Sequence, residues 1–296
     1  MNRAKRSYLY AGLAVFFWST IPTAFKIGLG ELNVITLLSI ATFSSVIVLL
    51  IIIISSRKIH SLMATSQKEL LFSVMMGLLN PCIYYIILLK AYQLLPGQIA
   101  QPLNMIWPIV LVFLSVPILG QKIPSRSFVA LFISFAGVFI ISSQGHPFKP
   151  GSSDPLGIIL ATGSSFFWAI YFILNMKDRR EESVKLFTNF LFASVFLFIT
   201  LIITGTWQDG ISLKGAVTAI YVGLFEMGIT FFLWLKALSL AETSDKISNL
   251  VYLAPFISMI FLYFIIREPV YYTTPVGLIL IIAGIYFQNR KAGQLV

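Results

Sequence analysis

Ten stretches of roughly twenty apolar residues run through this chain of 296 residues, divided by short charged or Gly/Pro-containing breaks. A helix needs about 20 such residues to cross the hydrocarbon core of a bilayer. The approximate limits are 8–29, 33–55, 70–92, 98–119, 125–144, 155–176, 184–204, 214–238, 246–267 and 271–289. The residues are 58% hydrophobic and 11% charged, against about 45–50% and 25% in soluble domains. The solvent of this chain is therefore mostly lipid. The shorter alternating runs of a membrane barrel are absent. The reading is an all-α polytopic membrane protein of ten transmembrane helices.

The net charge of +10 would suggest nucleic acid in a soluble protein. Here basic residues flank membrane helices on the cytoplasmic side, and no nucleic-acid partner is expected. With ten spans and the N-terminus inside, sixteen Lys and Arg fall on the inside and five on the outside. Both termini should thus be cytoplasmic, in a multi-pass protein of the cytoplasmic membrane. The first apolar run has no Ala-x-Ala-like site after it and reads as a retained helix rather than a signal peptide. Cys82 is the sole cysteine, so no disulfide forms within the chain. No Cys/His spacing suits a metal, and no cofactor is expected. The run "KDRREESVK" (177–185) reads as a solvated loop with internal salt pairs.

The chain also repeats itself. "GLLNPCIYYIILLKAYQLLPGQIA" (77–100) resembles "GLFEMGITFFLWLKALSLAETSDK" (223–246), "FFW" recurs at 16–18 and 166–168, Pro108 matches Pro255, and "AG" at 136–137 matches 283–284. Residues 1–149 and 150–296 are read as two copies of a five-helix unit. Five is odd, so the second copy enters the membrane from the opposite side. Inverted repeats around a central cavity are the architecture of carriers that alternate access to a midplane site.

Glu226 stands at the midpoint of the otherwise apolar run 216–236. A charged side chain at the bilayer centre costs about 2.5–3.5 kcal/mol on insertion scales. Glu226 is expected to face the interior, as a substrate-amine contact, a proton carrier or a neutral structural acid. Its counterpart in the first half is Asn80, followed by Pro81, which removes a backbone donor. Tyr84 shares a helical face with Asn80, as Thr230 and Trp234 do with Glu226. Helix 4 carries Gln101, Asn104 and Pro108 on one face, with Trp107 beside them. Helix 6 carries Trp168, Tyr171 and Asn175; helix 9 carries Ser248, Tyr252 and Pro255; helix 1 carries Ser19, Thr23 and Lys26 beside Trp18. One such stripe is ordinary helix packing; several read as a lined cavity. The expected substrate-binding set is Trp18, Asn80, Tyr84, Gln101, Asn104, Trp107, Trp168, Tyr171, Glu226 and Tyr252.

"WST" (18–20) and "LKAYQLLPGQIAQPLNMIWPIVLVFLSVPILGQKI" (89–123) resemble the drug/metabolite transporter superfamily, in its ten-helix EamA-type branch. The family's acid at a helix end matches Glu268 in "IREPV"; Gln121 stands there in the first half. The "N-x-x-W-P…GQK" wording at 104–122 is similar to the aromatic amino-acid exporters of the superfamily. The resemblance implies a ten-helix exporter or importer of small metabolites with a central cavity; the reading is a secondary transporter exporting metabolites such as amino acids, with the proton as a candidate coupling ion through Glu226. A passive facilitator or channel is the alternative, as is other cargo such as purines or drug-like cations. An enzyme is not expected. His60 and His146 lie in loops, one acid lies near mid-depth, and no phosphate-binding GxxxxGK[ST] occurs.

Overall fold

The computed structural model describes residues 3–119, 125–146, 153–240, 250 and 253–289. Every regular element among them is helical. In chain order these are α1 (Arg3–Glu31), α2 (Val34–Ser55), α3 (Ile59–Met63), α4 (Gln67–Gly77), α5 (Tyr84–Leu94), α6 (Gly97–Asn104), α7 (Trp107–Leu119), α8 (Ser125–Ser142), α9 (Pro155–Lys177), α10 (Glu182–Thr204), α11 (Leu213–Val222), α12 (Ile229–Leu240), α13 (Ala254–Ile266) and α14 (Thr273–Asn289). A kink at Asn80–Pro81 joins α4 to α5, and a π-helical turn joins α11 to α12; each pair lies within one apolar helical stretch. Among the described residues six helical segments are long and apolar enough to cross a membrane, Gln67–Leu94 and Leu213–Trp234 included.

The expected span at 98–119 is instead two helices, parted at Met105–Ile106. Pro108 has no N–H to return to the carbonyl of Asn104, and it falls in the first turn of α7, where a helix misses no donor. The first residues expected in the ninth span lie outside those described.

Helix starts follow local chemistry. The Asn33 side chain accepts the Thr36 N–H (2.9 Å) to cap α2. Ser66 and Glu69 form a reciprocal capping box on α4, and Ser212 caps α11 through the Gly215 N–H (2.9 Å). Each satisfies donors that a helix start leaves open.

The chain forms two compact units, and each draws helices from both halves of the sequence. The first comprises Met1–Ile86 and Asp178–Ile266. Within it α2 and α10 run antiparallel. Thr36 Oγ1 at the start of α2 donates to the carbonyl of Thr206 beyond the end of α10 (3.4 Å), and Lys58 beyond α2 pairs with Glu181, the N-cap of α10. α1 packs antiparallel on the α11–α12 span, through Ser7 Oγ to the Ala237 carbonyl (2.7 Å) and Thr20 to Tyr221 (2.6 Å).

The run 177–185 is not the solvated loop expected. The side chains of Arg180 and Asp178 are only 7% and 4% exposed. Arg180 donates to Asp178 Oδ2 (2.6 Å), Ser73 Oγ (2.7 Å) and Thr188 Oγ1 (3.0 Å). Seven residues of mixed charge look solvated in sequence, but hydroxyls from α4 and α10 complete the guanidinium's bonds and let it be buried. Burial alone would push the Asp178 carboxyl up. Hydrogen bonds from the Arg180 side chain and N–H outweigh this and hold it below the usual carboxylate range.

The second unit comprises Ile87–Lys177 and Arg267–Val296. Its axis is the pair α8 and α14. A Cβ on Gly137 would lie 2.5 Å from the carbonyl oxygen of Gly277, and one on Gly277 would lie 2.5 Å from that of Gly137. Gly145 N–H past the end of α8 donates to Thr273 Oγ1 at the start of α14 (2.9 Å). The two helices are therefore antiparallel, crossing where neither has a side chain. Membrane helices gain little from apolar burial against each other and rely on such close backbone contact.

Two predictions follow from this packing. Gly137→Leu or Gly277→Leu should lower the thermal unfolding temperature in detergent, through about 1–3 kcal/mol of overpacking. Gly163→Ala, where an added Cβ meets nothing within 4 Å, should not. Arg180→Ala should cost about 3 kcal/mol by stranding a buried carboxylate. The Asp178 value is lowered on folding, so its contribution is present above about pH 4 and lost as pH falls through that range. Asp178→Asn should remove this acid limb from a stability-against-pH curve.

Candidate functional site

The irregular turns inside two spans fall at corresponding places in the similar stretches 77–100 and 223–246. The first is Leu78–Ile83 and contains Asn80; the second is Gly223–Gly228 and contains Glu226. In the first, Pro81 cannot donate to the ladder, and Asn80 leaves the helical region altogether (φ −146°, ψ 120°). The second has no proline, and Thr230 donates its hydroxyl to the carbonyl of Phe225, five residues back. π turns within α-helices are frequent at functional sites.

Gly77 and Gly223 lead into these turns, and each allows a neighbouring backbone to approach. A Cβ on Gly77 would overlap the carbonyl oxygen of Asn189 on α10, and one on Gly223 would overlap that of Ala41 on α2. Gly77 and Gly223 open the two similar stretches 77–100 and 223–246, and each meets a backbone carbonyl of another span in the same unit.

Glu226 is half-buried, and Tyr85 donates its hydroxyl to Glu226 Oε1 at 2.8 Å. Tyr85 is 1% exposed and fixed by edge contacts with Tyr84 (4.7 Å) and Phe25 (6.3 Å). Sequence periodicity selected Tyr84, four residues after Asn80. Asn80 is out of the helical region, so helical phase does not carry across it, and the hydroxyl that meets the acid is that of Tyr85. Nothing in the residue types announces that shift except Pro81. Tyr84 itself is buried against Tyr85. Asn80 is buried, and its Oδ1 has no hydrogen-bond partner among the described residues; the same holds for both amide atoms of Asn189.

In the same unit Trp18 stacks on Trp234 (5.3 Å) and meets Phe231 (6.0 Å). Phe17 and Tyr221 flank Phe225, the residue before the acid, at 4.6 and 4.7 Å. The second unit holds the remaining described candidates. Asn104 donates to Ser164 Oγ (2.7 Å), Trp107 stacks on Phe172 (5.6 Å), Trp168 stacks on Tyr171 (5.9 Å), and Gln101 is buried. Tyr252 lies outside the described residues. Glu268 accepts the N–H groups of Gly97 (2.9 Å) and Gln98 (3.1 Å), capping α6. Among the described residues no group of three or more His, Cys, Asp or Glu is placed to hold a metal ion.

The model of the EamA-like transporter family matches this sequence twice, over residues 5–143 and 155–290. The chain belongs to the EamA-like transporter family. This EamA-like protein is a membrane transporter and not an enzyme. It is 25% identical over 305 residues to an uncharacterized transporter of Clostridium kluyveri, covering 98% of this chain and 96% of that one. It is 24% identical to the uncharacterized transporter YvbV of Bacillus subtilis, covering 82% and 79% of the two chains. A crystal structure matches with a TM-score of 0.65 at 17% identity over 96% of each chain, a likeness of fold.

The Tyr85–Glu226 bond yields a direct test in this EamA-like protein. Tyr85→Phe should lose about 1–3 kcal/mol of thermal stability. In a double-mutant cycle with Glu226→Gln the two changes should couple by at least about 0.5 kcal/mol.

Proposed function

We propose that this transporter is a secondary carrier that exports small amino-acid-like metabolites, aromatic ones included, by alternating access across the cytoplasmic membrane. The observation that carries this is Glu226, a carboxylate at a π turn midway along a span, held by Tyr85 and matched by Asn80 at the equivalent turn. A carboxylate supported in this way suits a substrate ammonium, through a charge-assisted hydrogen bond. The aromatic rings of Trp18, Phe17 and Phe225 in the same unit suit stacking on an apolar or aromatic side chain.

Two features support an inverted duplication of residues 1–149 and 150–296. Matched helices pack antiparallel on each other, α2 on α10 and α8 on α14. The glycine contacts of the two π turns exchange the halves. An odd number of spans per half, with Lys and Arg concentrated on one side, supports cytoplasmic termini. Glu226 is also the group through which a proton could be coupled.

Flux into proteoliposomes tests the reading. A screen of amino acids, purines and organic cations should show amino-acid counterflow. Glu226→Gln should lower that flux about tenfold or more, the equivalent of one charge-assisted bond. Unchanged flux and unchanged dependence on the proton gradient in Glu226→Gln would remove the acid from the mechanism.

A further inference from the structure

Glu226 is not among the residues that line a pocket in the first unit. This pocket has a volume of about 270 Å³ and is lined by Leu49 and Ile52 of α2, Lys58, Glu181, Glu182, Ser183 and Leu186 around the start of α10, and Phe232 and Lys236 of α12. That is smaller than the roughly 300–1,000 Å³ of pockets that enclose drug-sized ligands, and it suits a compact polar group.

Its chemistry is divided in two. The floor is apolar, from Leu49, Ile52, Leu186 and Phe232. The rim carries two ammonium groups, Lys58 and Lys236, and two carboxylates, Glu181 and Glu182. Glu181 pairs with Lys58 and caps α10 through the N–H groups of Ser183 (2.9 Å) and Val184 (3.2 Å). Burial would push the Glu181 carboxyl up, but hydrogen bonds from Lys58 and Ser183 hold it below its ordinary range. Glu182 pairs with Lys185 at 2.6 Å and remains 41% exposed.

The pocket sits where α2 ends at Ser55 and α10 begins at Glu182. Phe232 and Lys236 are four residues apart and share one face of α12. That face differs from the one bearing Trp234 and Ala237, which packs on α1. Phe232 is exposed.

We infer that this pocket seats the headgroup of a zwitterionic aminophospholipid of the phosphatidylethanolamine type. Its phosphate meets the ammonium groups of Lys58 and Lys236, its own ammonium meets Glu182, and the start of an acyl chain lies on Phe232, Ile52 and Leu186. A purely anionic headgroup would meet two carboxylates on the rim. A trimethylammonium headgroup has no N–H to donate to Glu182.

The test is thermal stabilisation of the purified, detergent-solubilised full chain by lipids of identical acyl chains. Phosphatidylethanolamine should stabilise at concentrations about tenfold lower than phosphatidylcholine or phosphatidylglycerol, the worth of one charge-assisted bond. Lys236→Gln should remove that preference, and Lys236→Arg should retain it. Lipid co-purifying with the wild type, read by native mass spectrometry, should be enriched in phosphatidylethanolamine even if a variant fails to fold. Equal stabilisation by all three lipids, preference for phosphatidylglycerol, or a preference that survives Lys236→Gln would overturn the inference. So would free phosphoethanolamine acting as well as the lipid, which would mark a solute site. None of these outcomes depends on the cargo carried.

Discussion

A chain dissolved in hydrocarbon must satisfy its own backbone, because each unpaired N–H or C=O at depth costs several kcal/mol. Departures from the α-helical ladder are therefore tolerated where protein or polar groups surround them. Here the two departures stand at matching positions, at Asn80 and at Glu226. Pro81 makes the first unavoidable by removing a donor. In the second, the Thr230 hydroxyl takes the carbonyl of Phe225. The polar side chains that a lipid-facing helix would exclude are thus concentrated where the backbone is already irregular.

The glycines explain how such turns fit inside a bundle. A widened turn needs room, and room between membrane helices comes from missing side chains. Gly77 and Gly223 bring each π turn onto a neighbouring carbonyl, and Gly137 and Gly277 do the same for α8 and α14. Since the apolar effect does not drive helices together within lipid, these close contacts and buried hydrogen bonds carry much of the specificity. The Arg180 network plays the corresponding part at the helix ends of the first unit, joining α4 and α10 to the segment between α9 and α10.

Much of this was legible in the residues. Apolar runs fixed the spans because length and hydropathy are all a bilayer asks of a helix. Glu226 stood out because an acid at mid-span is costly, and the repeat pointed from it to Asn80. What could not be read were effects of one residue or one neighbour. The break in helical backbone at Asn80 makes Tyr85, not Tyr84, the tyrosine that meets the acid, a change that a period of 3.6 does not contain. The parting of α6 from α7 turns on where a proline falls. Arg180 looked like a loop charge because its partners, Ser73 and Thr188, are distant in sequence or unremarkable in type. Glu268 was recognised only by resemblance, and its role as the cap of α6 comes from contacts some 170 residues away.

The central claim is that the two matched turns hold Asn80 and Glu226 inside the protein, within reach of a substrate and away from acyl chains. Thiol labelling tests it most directly. In a Cys82→Ser background, Asn80→Cys and Glu226→Cys would be treated in membranes with water-soluble, membrane-impermeant reagents from each side. The account predicts that both positions react, and that they do so more slowly in the presence of transported substrate. Reaction only with lipid-soluble reagents, at rates substrate does not change, would contradict it.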